Sequence, residues 1–166
     1  MAQSATLLTT GAPAPGTKLT DFTLKLAKTD GITDFKLSDH LGKGPLVFAF
    51  FPAAFTGVCT KEVCELRDTL QSFASLGAQV YGFSTDPAPS NKAFALQEHL
   101  TFGILSDPNR TFVGHVWPAN TRPIYGNEVT AKRGAMIVSP DGTVKWASAS
   151  DDVTVWIGAD EVRKHL

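Results

Sequence analysis

A chain of 166 residues with 43% hydrophobic and 19% charged side chains has the composition of a globular protein, long enough for one domain (1–166) with a sizeable core. Its formal net charge of −1 gives no electrostatic case for binding nucleic acid or an anionic membrane. No apolar run approaches the ~20 residues of a membrane-spanning helix, and the N-terminal MAQSATLLTTGAPAPG lacks the basic start and long apolar centre of a signal peptide, so the cytoplasm is the expected compartment.

Residues 1–16 read as an extended lead containing Ala12-Pro13 and Ala14-Pro15. Apolar residues alternate over Leu19 to Leu26 and over Thr33 to Leu37, with Asp30-Gly31 between them, which predicts an early hairpin. Ser38 to Gly42 is a turn or a single helical turn. The run Leu46-Val47-Phe48-Ala49-Phe50-Phe51 is continuously apolar, the mark of a strand buried on both faces. Pro52 stops it, because proline has no N–H for the sheet ladder. After a short loop, Cys59 opens a segment in which Leu66, Leu70 and Phe73 fall at helical spacing, and Gly77 ends it. Ala78 to Ser84 is the next strand, so strand, helix and strand form a parallel βαβ unit. Asp86-Pro87-Ala88-Pro89 reads as a loop and Ser90 as the cap of a helix over Lys92 to Leu100. Phe102 to Leu105 reads as a short strand and Asn109 to Trp117 as a short helix. Ala119 to Lys132 has no period. Arg133 precedes the strand Gly134 to Val138; Asp141-Gly142 turns the chain into an antiparallel strand over Thr143 to Ala147; a terminal helix begins at Ala159. The result is an α/β protein with a central mixed β-sheet flanked by helices and an N-terminal β-hairpin.

The chemistry gathers around the two cysteines. In a reducing compartment, two cysteines are catalytic or inert more often than a structural staple. Their Cys-x4-Cys spacing would need outside ligands for a metal, and His40, His99, His115 and His165 are scattered without a pair at ligand spacing, so neither a metal nor another cofactor is implied. Cys59 at a helix start faces unpaired N–H groups and the positive end of the helix dipole, both of which favour the thiolate, the nucleophilic form. Thr56, three residues earlier, could donate to the sulfur or hold an incoming oxygen, or simply cap the loop. Pro52 could wall off one side or merely end the strand. A buried structural cysteine stays open as an alternative. Cys64 follows five residues on; in an intact helix the two sulfurs are about 7.5 Å apart along the axis and roughly 140° apart around it. A bridge would therefore require the first turns to unwind.

Pro52-x-x-x-Thr56-x-x-Cys59 resembles the peroxidatic signature of the peroxiredoxins, and FFPAAFTGVCTKEVCELRD is similar to the bacterioferritin-comigratory protein, or PrxQ, subgroup. The resemblance runs from the early DFTL segment to the strand after Lys132. It implies a thioredoxin-like fold and a peroxidase in which Cys59 is the peroxidatic cysteine. It implies further that Cys64 resolves the sulfenic acid as an intramolecular disulfide and that thioredoxin or a glutaredoxin-like dithiol recycles it. Hydrogen peroxide and organic hydroperoxides are the implied substrates, and a monomer or homodimer the implied assembly. It also implies that Arg133 sits over the sulfur, although a surface arginine is the plain reading of that residue alone. Glu62, placed on the first helical turn, suits the dipole there, and the resemblance implies that it orients the arginine. Arg67, about 12 Å along the helix from Cys59 by rise, is expected to form a structural ion pair. Phe51, Phe55 and Trp117 could line an apolar mouth or pack in the core. Ser139 stands where relatives often carry an acidic residue, and Val116 to Lys132 does not follow the family pattern. A one-cysteine peroxidase reset by an external thiol, a thioredoxin-type disulfide oxidoreductase, and a redox sensor or holdase are the alternatives.

Overall fold

The computed structural model describes residues 11–166, so residues 1–10 of the extended lead lie outside the described residues. Strands β1 (Thr23–Lys28) and β2 (Gly31–Lys36) form the early hairpin, with Lys28 opposite Gly31 across Thr29-Asp30. One helical turn, α1 (Leu37–His40), follows. The apolar run becomes β3 (Leu46–Phe50), and the cysteine helix α2 spans Gly57–Ala74. Then come β4 (Gln79–Ser84), α3 (Ala88–Gln97), β5 (Ile104–Ser106), β6 (Arg133–Val138), β7 (Val144–Ser150) and α4 (Ala159–Arg163). The seven strands make one mixed sheet in the order β2-β1-β5-β4-β3-β6-β7. β3 runs parallel to β4 and antiparallel to β6, so it lies in the interior of the sheet.

That position explains its sequence. Val47, Ala49 and Phe51 face one side with Val63, Leu66 and Phe73 of α2, Phe94 of α3 and Val162 of α4. Leu46, Phe48 and Phe50 face the other side, where the cover is Phe112, Val113, Trp117 and Leu37. Trp117 stacks on Phe50 with ring centroids 4.0 Å apart and planes 7° apart. A strand sandwiched in this way must be apolar at every position rather than at alternate ones. No helix among the described residues is long and apolar enough to cross a membrane.

Three expected elements differ. α3 begins at Ala88, not Lys92, with Pro87 rather than Ser90 before its first residue and Pro89 inside its first turn. Proline is tolerated there because first-turn N–H groups have no helical partner. Asn109 to Trp117 is not a helix. The Asp107 carboxylate accepts the N–H groups of Thr111 at 2.8 Å, Phe112 at 2.9 Å and Val113 at 2.8 Å, and Gly114 donates to the Trp117 carbonyl. One side chain thus gathers donors into a tight coil, and the coil drops Trp117 onto the sheet. At the hairpin, β1 starts at Thr23 rather than Leu19.

Candidate active site

α2 turns its inner stripe, Cys59, Glu62, Val63, Leu66 and Phe73, onto the sheet. Cys59 lies in the first turn and is 1% exposed. Beneath it runs β6, in which Arg133, Ala135 and Ile137 share the face toward α2 by the period of two. Gly134 pairs with Phe50, and β7 approaches so closely that a Cβ on Gly134 would lie 2.0 Å from the Ser148 carbonyl oxygen. Only glycine fits next to Arg133 there.

Arg133 is held by this packing and by three partners. Its Nη2 donates to Cys59 Sγ at 3.0 Å, its Nε donates to the Val153 carbonyl at 2.7 Å, and its Nη1 lies 3.7 Å from Glu62 Oε1. The sulfur thus meets a guanidinium across a hydrogen bond and an α-helix N-terminus along its own chain, the electropositive setting of a reactive cysteine. Glu62 is fully buried, and among the described residues neither of its oxygens has a hydrogen-bond donor. Burial pushes its carboxyl well above the usual range, with Arg133 pulling the other way. The helix starts at Gly57, so Glu62 sits on the second turn, not the first. It is a core-facing group rather than a dipole partner.

The loop before α2 is fixed by its own bonds. Thr56 immediately precedes the helix and donates its hydroxyl to the Ala53 carbonyl at 2.7 Å, so its proton points into the loop rather than at the sulfur. The helix consequently lacks a side-chain N-cap. Asp86 accepts the Ala54 N–H at 2.9 Å and the Ser84 hydroxyl at 2.8 Å, pinning the loop to the end of β4. Phe55 takes a left-handed φ of 65° that side chains other than glycine rarely adopt.

A cleft of about 200 Å³ opens between Pro52, Thr56, Ile124, Tyr125, Arg133 and Val153. Pro52 is one wall. Tyr125, left-handed at φ 49° and largely exposed, and Val153 form walls that sequence reading missed. Phe51 and Trp117 do not line it; both are fully buried, on opposite faces of the sheet. Phe55 is half exposed and tilts against Phe94, with centroids 5.1 Å apart.

Cys64 is elsewhere. It lies on the flank of α2, partly exposed, and its thiol donates to Glu98 Oε2 at 3.3 Å. Burial and the Glu98 carboxylate push this thiol above its ordinary 9.0. Both cysteines are free and the helix between them is intact. Arg67 pairs with Asp68 at 2.9 Å and also donates to the Glu98 carbonyl, a structural role as expected. Among the described residues, no group of three His, Cys, Asp or Glu side chains is placed to hold a metal ion.

Comparison with known proteins adds to this geometry. The model of the AhpC/TSA family matches residues 15–147. Alkyl hydroperoxide reductase E of Mycobacterium tuberculosis is 32% identical over 142 residues, 85% of each chain. Peroxiredoxin Q, chloroplastic, of Triticum aestivum is 41% identical over 104 residues, 63% of this chain and 46% of that one. The crystal structure of peroxidoxin BcpB from Mycobacterium tuberculosis aligns with a TM-score of 0.76 at 31% identity, over 91% of this chain and 94% of that one.

Proposed function

Because the chain belongs to the AhpC/TSA family, whose peroxiredoxin members are thiol peroxidases, we propose that Cys59 is its peroxidatic cysteine and Cys64 its resolving one. The observation that carries this reading is the 3.0 Å bond from Arg133 to Cys59 Sγ beside an open cleft. The Cys59 thiolate attacks the terminal peroxide oxygen, the O–O bond breaks, and water or an alcohol leaves. Cys59 becomes a sulfenic acid. The forked donors of Arg133 bind the sulfur in the ground state and the polarised oxygens as the bond breaks. Glu62 backs that guanidinium, 3.7 Å from its Nη1, and orients it by packing. Pro52 shields one side of the sulfur, and Thr56 offers its oxygen lone pairs at the cleft mouth.

The second step needs movement. Cys64 attacks the sulfenic sulfur and expels water, which forms an intramolecular disulfide; an external dithiol such as thioredoxin then reduces it by exchange and is itself oxidised. The two sulfurs meet only if the first turns of α2 unwind. The missing N-cap favours this, because a capping side chain would hold the helix start by ~1 kcal/mol. The acting unit is the single domain 1–166, as a monomer or homodimer.

Intact mass after one equivalent of peroxide, with and without a thiol trap, tests the sequence of events. The expected product is a species two hydrogens lighter that maps to Cys59 and Cys64. A stable gain of one oxygen with Cys64 still free would overturn the resolving step, and no change at Cys59 would overturn the whole reading.

A further inference from the structure

Arg133 is a single buried cation facing two groups that can each be anions. Its bond to Cys59 Sγ is 3.0 Å, whereas its nearest approach to Glu62 is 3.7 Å, too long for a hydrogen bond. Among the described residues, both Glu62 oxygens and Arg133 Nη1 are buried without hydrogen-bond partners. One positive charge balances one negative charge. A second buried anion, closed off from water and without donors, is disfavoured and takes up a proton instead. The sulfur has the guanidinium bond and the helix N-terminus; the carboxyl has neither, so the proton falls to the carboxyl. The other charged group acting on it, Glu65 on the next part of the same helix, pushes in the same direction, and only Arg133 of β6 opposes.

We infer that Glu62 and Cys59 share one negative charge: Glu62 carries a proton while Cys59 is a thiolate and is ionised once Cys59 is a sulfenic acid. Oxidation removes the charge from sulfur, and Arg133 then has only Glu62 to neutralise. The atoms balance as Cys–S⁻ + ROOH + Glu–COOH → Cys–SOH + ROH + Glu–COO⁻. The sulfur loses two electrons to the peroxide oxygens, and the alkoxide or hydroxide that departs takes the proton given up by Glu62. Glu62 is therefore a proton reservoir coupled to the redox state of the sulfur. The inference rests on the peroxidatic role proposed for Cys59.

The test uses the Cys64→Ser variant, which keeps the oxidised enzyme as a sulfenic acid with α2 intact. One equivalent of hydrogen peroxide is added while infrared difference spectra and intact mass are recorded. The expected result is a gain of one oxygen together with loss of one protonated-carboxyl carbonyl band and growth of a carboxylate band. The lost band shifts in protein made with isotope-labelled glutamate and is missing when Glu62→Gln is added. Labelling needs no mutation, so a change at a glutamate carboxyl is read even if the Gln variant folds poorly, and Glu62 is the glutamate whose oxygens are both buried without a hydrogen-bond partner among the described residues. A gain of oxygen with no carbonyl loss, or a lost band insensitive to glutamate labelling, overturns the shared charge and leaves the peroxidase reading intact. No gain of oxygen overturns both.

Discussion

Cys59 and Cys64 sit five residues apart on one helix and live in opposite electrostatic settings. Cys59, on the inner stripe, accepts a hydrogen bond from a buried guanidinium. Cys64, turned to the flank, donates a hydrogen bond to a carboxylate and is held above its ordinary 9.0. A rotation of roughly 140° about the helix axis is all that separates a sulfur beside a cation from one beside an anion. The difference fits the proposed order of the chemistry, in which the first sulfur attacks peroxide and the second follows.

The sharpest way to break this contrast is to remove each sulfur in turn. Cys59→Ser is expected to reduce peroxide consumption to the level of buffer. Cys64→Ser is expected to leave one round of oxidation, counted by mass as a single added oxygen, and to abolish cycling with a thioredoxin system. Equal residual turnover in the two variants would mean that the settings do not sort the roles.

Next in size is the cation. Arg133→Gln keeps donors but removes the charge, and the rate of Cys59 oxidation in stopped-flow is expected to fall ~10²–10³-fold, the usual cost of losing a key stabilising donor. Circular dichroism should accompany it, because the substitution also shortens a buried side chain that donates to the Val153 carbonyl. A loss below tenfold in a folded variant would show that the helix start alone prepares the sulfur.

Some of this contrast was legible in the sequence. The run at 46–51 announces a strand covered on both faces, because burial on two sides leaves no polar position. The offset of five between the cysteines places them on different sides of a helix. Glu62 was legible too, though it was misplaced: at three after Cys59 and four before Leu66 it falls on the apolar stripe, which predicts a buried carboxyl rather than a dipole partner. Arg133 is 74 residues from Cys59, and only resemblance brought them together, since strand order is not written in local periodicity. The walls made by Tyr125 and Val153, the Asp107 coil and the Asp86 anchor carry no local period at all. Each arises when an irregular segment returns to the sheet, and a single carboxylate satisfying several N–H groups looks in sequence like any other aspartate.

Cys64 gives a pH prediction. Its thiol is raised above 9.0, so near neutrality it is mostly protonated, and its thiolate fraction grows about tenfold for each pH unit below that point. The step from sulfenic acid to disulfide, followed by rapid quench and mass, is expected to quicken with pH from 6.5 to 8.5 with that slope. A flat profile would place the limit on unwinding of α2 instead of on sulfur chemistry.

The smallest effect isolates the anion. Glu98→Gln replaces the carboxylate beside Cys64 by a neutral amide, which removes the charge and weakens the hydrogen bond that raise the thiol. Lowering a thiol by one unit increases its thiolate tenfold but weakens each thiolate as a nucleophile, so the net gain is only about threefold. Resolution in Glu98→Gln at neutral pH is therefore expected to be about two- to threefold faster, with Cys59 oxidation unchanged. Arg67 pulls the same thiol downward, so Arg67→Gln should slow resolution by a comparable factor. Opposite signs from two neighbours of one sulfur are hard to obtain by general loosening of the helix, which would quicken both. If the two variants shift resolution in the same direction, packing around Cys64 governs the step and its charged neighbours do not.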